Sequence, residues 1–476
     1  MEGNDSRKYL LSLVSLTTLF FMWGFITCLN DILIPYLKDV FALNYKESNL
    51  VVMAFFVAYF VISFLYFLVS ALFKDPILKI GYKNTIVLGL MISAIACFLF
   101  FIEASSDTPT FSFFLFSLFL LGAGFTFLQI AANPLVAVLG TPETSSSRLN
   151  LSQAFNSLGT TLAPIIGGYV IFKLMAGDSV EEVAKDPSAV QIPYLFLSSV
   201  LLILAGVIFF TNIPNVMPES NNKEVCRIGA LKYPHLVFGM LAIFFYVGAE
   251  VAIGSNLVNY MRGSLSIQSH MASALLSFYW GGAMIGRFVG SISMSQMNFS
   301  KKCLLMAVTA IGSLLLIFFA FSKSMHFDMA QMKEFFVSGN VHYFFFSVIL
   351  NYVLFLAAKS APSRTLGIFA FANIVLLIVM LLTDGSISLW AVLSIGLFNS
   401  IMFSNVFTLA ISKLGKYTSQ GSSLLVMMIL GGAIMPILQG MLADAYSIHT
   451  SFILPILCYA YLVWYGFYGY KVREVK

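Results

Sequence analysis

The sequence predicts an all-α polytopic membrane protein of about fourteen spans, on three observations. Of its 476 residues, 59% are hydrophobic and 10% charged, and the mean hydropathy is +0.91. Soluble domains carry about 25% charged residues, so lipid is the main solvent of this chain. Apolar stretches recur throughout, each near the roughly 20 residues that a helix needs to cross a bilayer core. Two consecutive segments of the first half also recur, weakly and in the same order, in the second half. That is the mark of a duplicated helical unit.

Residues 1–8 are short and polar, and the apolar run from Tyr9 outlasts a signal-peptide core of roughly 7–15 residues. The first span, 9–37, is therefore expected to stay in the protein. It is followed by 47–73, 83–102, 111–139, 149–174 and 191–212, which complete an N-terminal six-helix bundle over 1–212. Residues 213–233 (IPNVMPESNNKEVCRIGALKY) are polar, hold two prolines and read as a cytoplasmic linker. The C-terminal bundle, 234–476, carries spans at 234–261, 270–297, 302–322, 341–358, 365–383, 388–412, 420–442 and 451–470. The repeat sets LAPIIGGYV (162–170) against IMPILQGML (434–442), and GAGFTFLQ…VLG (122–140) against SIGLFNSIM…KLG (394–415). Two spans of the second half are then surplus. Residues 302–322 and 341–358, joined by the loop KSMHFDMAQMKEFFVSGN, read as a helical hairpin inserted at about 300–362. A pair of spans keeps the sidedness of everything downstream; an interfacial or re-entrant segment is the alternative. Lys and Arg are in clear excess on the side that holds the N-terminus. The positive-inside rule and an even span number therefore place both termini in the cytoplasm.

Several chemistries find no support in the composition. The five cysteines are scattered without a CxxC pair, and the five histidines are dispersed, so neither a metal site nor a redox centre is predicted. The net charge of +5 is modest, and no basic patch or phosphate loop points to nucleic acid or nucleotides.

The informative residues are polar groups at membrane depth. Asp31, in FMWGFITCLNDILIPYL, is a carboxylate in the first span, where burial costs on the order of 2.5–3.5 kcal/mol. It suits a proton or cation site, or an interfacial residue partnered by Asn30 or Lys38. Glu250 lies in FFYVGAEVAIGSNLVNY with Gly248 and Gly254 beside it and Asn256 and Asn259 on the next turns. It reads as a second titratable or sugar-binding group, or as a structural partner of Arg287. Arg287, in WGGAMIGRFVGSI, does not deprotonate and requires a carboxylate, carbonyls or headgroups; it is assigned a structural or gating charge. Gln129, Asn133, Gln153 and Asn156 put four amides into two adjacent spans. Gln153 and Asn156, three apart, share a helix face, and Pro134 leaves a backbone carbonyl unpaired near Asn133. Amides both donate and accept, as the hydroxyls of a neutral sugar require. Helix–helix glue accounts for any one of them, less well for four. Trp23, Phe155, Tyr279 and Trp280 are candidates to stack on an apolar sugar face, or plain packing residues.

Six ordered motifs, LNDILIPYL, FLQIAANPLVAVLG, RLNLSQAFNSLGTTLAP, FFYVGAE, GLFNSIMF and YTSQGSSLLVMMILGGAIMPILQG, together resemble the fucose–galactose–glucose:cation symporter family of the major facilitator superfamily. The likeness spans the chain except about 300–362. It implies the major facilitator fold, two six-helix bundles with a sugar site at the midplane between them, alternating access and cation-coupled uptake. By resemblance Asp31 is the proton-linked aspartate and Asn156 the sugar-recognising asparagine, with Gln153 one turn before. The fucose branch has a glutamate where this chain has Gln129, so one coupling carboxylate is missing. That departure, with Glu250 in VGAE, looks more like the glucose/galactose branch. Ser404-Asn405 replaces the Pro-Thr common after SIMF.

The expected protein is a cation-coupled, proton-using uptake carrier for a hexose such as glucose or galactose. Asp31 and Glu250 couple the cation, and Gln129, Asn133, Gln153, Asn156, Asn256 and Asn399 bind sugar. Sodium coupling, fucose as substrate, and a membrane sugar sensor that does not transport are the alternatives. No enzyme chemistry, cofactor, metal or nucleic-acid partner is expected, only the coupling ion, the sugar and the bilayer. The protein is expected as a monomer in a bacterial inner membrane.

Overall fold

The computed structural model describes the backbone at residues 2–40, 45–106, 110–168, 191–214 and 227–473, and side chains at 9–28, 53–106, 110–163, 191–214 and 227–473. Regular structure is helical throughout the described residues. The first half holds α1 (Glu2–Val40), α2 (Tyr45–Leu72), the short α3 (Pro76–Ile80), α4 (Tyr82–Ala104), α5 (Phe111–Val138), α6 (Ser145–Gly168) and α7 (Gln191–Phe210). The second half begins with α8 (Pro234–Gly263), α9 (Ser269–Ser293), α10 (Phe299–Met325), α11 (Met329–Ser338) and α12 (His342–Ala357). It continues with α13 (Pro362–Leu382), α14 (Gly385–Asn399), α15 (Met402–Ala410), α16 (Thr418–Met427), α17 (Gly431–Ala445) and α18 (Ile453–Trp464).

Among the described residues eleven helices are long and apolar enough to cross a membrane, or twelve if the bent pair α11–α12, angled at 75°, counts as one span. Large apolar side chains point outward along them; Ile203 is 67% exposed and Phe210 82% exposed. In a lipid-facing helix that exposure carries no cost, and every backbone group is satisfied within the helix. The expectation of about fourteen spans exceeds this number in three places. The helices α6 and α9, 24 and 25 residues long, are rich in serine, glycine and polar side chains, and α12 has only 16 residues.

The chain divides into two compact units. Unit 1 comprises Met1–Thr141, Leu158–Lys232 and Lys413–Met427; unit 2 comprises Pro142–Ser157, Tyr233–Ser412 and Met428–Lys476. Within unit 1, α4 packs on α5 and α7, and α2 packs on α5. Gly124 and Gly89 let α5 and α4 meet backbone to backbone, since a Cβ on Gly124 would collide with Ser93 and the Gly89 carbonyl. Asp75, 1% exposed, caps α3. It accepts from Tyr66 Oη at 2.6 Å, Ser419 Oγ at 2.6 Å, Ser70 Oγ at 3.0 Å and the Ile77 N–H at 3.0 Å. Four donors replace the water that burial removes from this carboxylate.

Within unit 2, α13 packs on α14 and α18 in the way α4 packs on α5 and α7. The segment expected as a loop between 322 and 341 holds a helix, α11. Its start is a capping box: Asp328 accepts from the Gln331 N–H while the Gln331 side chain accepts from the Asp328 N–H. The helices α10 to α12 close over an aromatic cluster centred on buried Phe278, which meets Phe318, Phe321, Phe344 and Trp390. Trp390 donates from Nε1 to the Gly339 carbonyl at 2.7 Å. Two expected spans are broken: 388–412 at Ser400–Ile401, between α14 and α15, and 420–442 at the 3-10 turn Met428–Leu430.

Candidate functional site

The polar residues singled out from the sequence fall into two settings. In unit 1, Gln129 and Asn133 lie one turn apart on α5 and are 4% and 0% exposed. Asn133 is fully buried with a hydrogen-bond partner on neither its Nδ2 nor its Oδ1. An amide left in that condition costs on the order of 1–3 kcal/mol, so the fold carries this group at a loss. Pro134, inside α5, forbids a backbone hydrogen bond at the next position. Asp31 sits in α1; its side chain, with those of Asn30 and Lys38, lies outside the described residues.

Unit 2 gathers the charges. Glu250 projects from α8 and Arg287 from α9, and they form an ion pair with Nη2 to Oε1 at 3.6 Å, side chains 13% and 14% exposed. Arg287 also donates from Nε to the Ser400 carbonyl at 3.1 Å and from Nη1 to Ser157 Oγ. The reach is set by glycine: a Cβ at Gly286 would strike Ser400 Oγ and the Leu397 carbonyl, so α9 and α14 touch there. One guanidinium therefore binds three elements, α8, the end of α14 and the middle of α6. Its planar fork of five donors is suited to that geometry.

Beside the ion pair runs a neutral network. Tyr279 Oη donates to the Glu250 carbonyl at 2.9 Å and accepts from Asn399 Nδ2 at 3.0 Å. Asn399, fully buried, accepts on Oδ1 from Tyr459 Oη at 2.7 Å and from Asn373 Nδ2 at 2.9 Å. Asn256 donates to the Ala252 carbonyl at 3.0 Å and to Gln439 Oε1 at 3.2 Å. Both asparagines expected to contact sugar from this half are thus engaged with protein. Gln153, 8% exposed, and half-buried Asn156 lie on α6 just before Ser157. Among the aromatic candidates, Trp23 packs on Phe20 and Phe125, Phe155 on Phe288, and Tyr279 on Trp280. A cavity of about 540 Å³ opens at the α8–α9 turn, lined by Asn259, Arg262 and Gln268 among others, none of them in this cluster.

Sequence reasoning missed Ser157, Asn373 and Tyr459. Asn373 had a usable signal, an amide within a span. Ser157 and Tyr459 had none, because serine and tyrosine are unremarkable in a chain with 21 tyrosines. No group of three or more metal-ligating side chains occurs among the described residues.

Comparisons with known proteins show the family of this chain. Residues 13–379 match the Major Facilitator Superfamily. The chain is 41% identical over 476 residues to a glucose/galactose transporter of Brucella abortus, covering 99% of this chain and 97% of that one. It is 27% identical over 480 residues to the L-fucose-proton symporter of Escherichia coli, covering 96% and 93%. The crystal structure of the Escherichia coli fucose:proton symporter superposes with a TM-score of 0.74 at 25% identity, over 97% of this chain and 99% of that one. These relatives are transporters, not enzymes, and the protein is an integral membrane protein with their fold. The chain belongs to the Major Facilitator Superfamily and, within it, to the fucose–galactose–glucose:cation symporter family.

Proposed function

We propose that this protein takes up a hexose such as glucose or galactose together with a proton, by alternating access. The observation that carries the reading is the 41% identity, over nearly the full length of both chains, to a protein named as a glucose/galactose transporter, against 27% to one named as a fucose-proton symporter. Gln129 supports it, because the fucose branch resembled here has a carboxylate at that place. In this reading Asp31 and Glu250 couple the cation. Gln153, Asn156, Gln129 and Asn133 meet the sugar directly. Asn256 and Asn399 reach it only by exchanging their present protein partners for hydroxyls.

The same proposal includes a hairpin, about 300–362, added between the second and third helices of the second repeat. The parallel packing of α4 on α5 and α7 and of α13 on α14 and α18 supports it, since α10 to α12 have no counterpart among the described residues of the first half. With α6, α9 and α12 counted, the spans number about fourteen, and both termini face the cytoplasm of a bacterial inner membrane. The carrier works as a monomer.

The test is uptake of labelled hexoses into proteoliposomes under proton and sodium gradients imposed separately. Accumulation of glucose or galactose driven by the proton gradient alone is expected. Accumulation driven only by sodium, or of fucose in preference, overturns the assignment. Asp31→Asn should abolish accumulation while leaving exchange; a variant that still concentrates sugar removes Asp31 from coupling.

A further inference from the structure

We infer that Arg287 ties sugar occupancy on α6 to the charge state of Glu250, with Ser157 as the contact through which the two communicate. The inference rests on the transport reading above and adds a physical link between the two solutes.

Three observations carry it. First, Arg287–Glu250 is the ion pair among the described residues of unit 2, and it lies in an apolar interior where neither charge is readily abandoned. Second, the guanidinium is shared. Its Nη2 faces Glu250 while Nη1 holds Ser157 Oγ, so a change at either partner alters its hold on the other. Third, Ser157 is four residues after Gln153 and directly follows Asn156. Residues four apart share a helix face, so Ser157 belongs to the stripe that holds the strongest sugar candidate.

The sequence of events is short. With Glu250 ionised, the guanidinium divides between carboxylate and serine. Sugar drawing Gln153 and Asn156 toward its hydroxyls shifts this part of α6, and Arg287 loses or strengthens its Ser157 contact accordingly. Its attraction for the carboxylate changes in the opposite sense. A proton arriving on Glu250 releases Arg287 toward Ser157 and acts back on α6. Linkage makes the effect reciprocal: sugar shifts proton affinity by the same factor that the proton shifts sugar affinity. The other titratable groups near Glu250 are Tyr246 on α8, Tyr279 on α9 and Tyr459 on α18. Phenols stay neutral well past physiological pH, so Arg287 is the charge that decides the outcome.

Ser157→Ala tests this without touching either charge. Removing the hydroxyl leaves the guanidinium more fully committed to Glu250, which then takes its proton at lower pH. In proteoliposomes, the midpoint at which labelled-hexose exchange falls with rising pH should move down by about one unit. Saturating hexose should shift the midpoint in the unmodified protein, and by less than half as much in Ser157→Ala. In a Glu250→Gln background, Ser157→Ala should have no effect on the pH profile; a merely structural serine would act alike in both backgrounds. The inference is overturned if Ser157→Ala exchanges hexose normally while its midpoint and the sugar-induced shift match the unmodified protein. It is equally overturned if the midpoint moves but the sugar-induced shift stays whole. Absence of hexose exchange in the unmodified protein, by contrast, rejects the transport reading itself.

Discussion

Asn133 on α5 and Asn399 on α14 are both fully buried, and both lie in segments that the internal repeat sets against each other. Their surroundings are opposite. Asn399 is held at both ends of its amide by Tyr279, Tyr459 and Asn373, whereas Asn133 has no partner at either end. Around Asn399 the side-chain amides and phenols are bonded to one another, beside a charge pair. Asn133 is an amide with both polar atoms unspent in a buried position. A fold retains an uncompensated buried group only where something other than stability selects it. The difference separates a polar residue that ties helices together from one whose amide the protein leaves unpaired.

The comparison can be broken most forcefully at the ion pair. Arg287→Met leaves Glu250 buried beside no cation and should cost on the order of 3–5 kcal/mol. A large fall in detergent-solubilised thermal stability is expected, with much of it regained in Glu250→Gln/Arg287→Met. No loss in the single variant would mean that the pair bears no weight. Asn399→Ala strands Tyr459, Tyr279 and Asn373 together and should lower stability by about 2 kcal/mol, with a smaller loss of hexose affinity. Weakened binding at unaltered stability would move Asn399 from architecture to sugar site. Asn133→Leu, close in shape, removes both orphaned atoms and should leave stability equal or higher by about 1 kcal/mol while hexose uptake drops. A destabilised Asn133→Leu would show that the amide has a structural partner after all. The smallest effect is expected outside both settings. Trp390→Phe keeps the ring against Phe278 but loses the bond to Gly339, about 1 kcal/mol by chemical denaturation, with transport untouched. A transport defect there would connect the α10–α12 region to function.

Much of this was legible before any coordinates. Lipid solvation forces long apolar runs and intrahelical hydrogen bonding, so the helices follow closely from hydropathy. Asp31, Glu250 and Arg287 stand out for the same reason, because charge at depth is rare and costly. The pairing of Glu250 with Arg287 was one of two readings, since residues 37 apart can meet or not according to how their helices cross. That crossing is decided by small residues such as Gly286, whose role is visible only against Ser400 and Leu397. The saturation of Asn399 was hidden because its partners come from three other helices. The helix α11 was missed because its ten residues follow an inconspicuous Asp328.

The break at Ser400–Ile401 bears on how the carrier tolerates its own chemistry. It ends α14, and the final carbonyls of a helix collect the negative pole of the aligned peptide dipoles. Arg287 Nε rests on one of them, the Ser400 carbonyl. A proton that neutralises Glu250 leaves the guanidinium beside half an elementary charge of opposite sign, roughly, and that charge has no titration of its own. The cation is never wholly orphaned in either protonation state. The backbone thereby holds a permanent, proton-blind counterweight to Arg287.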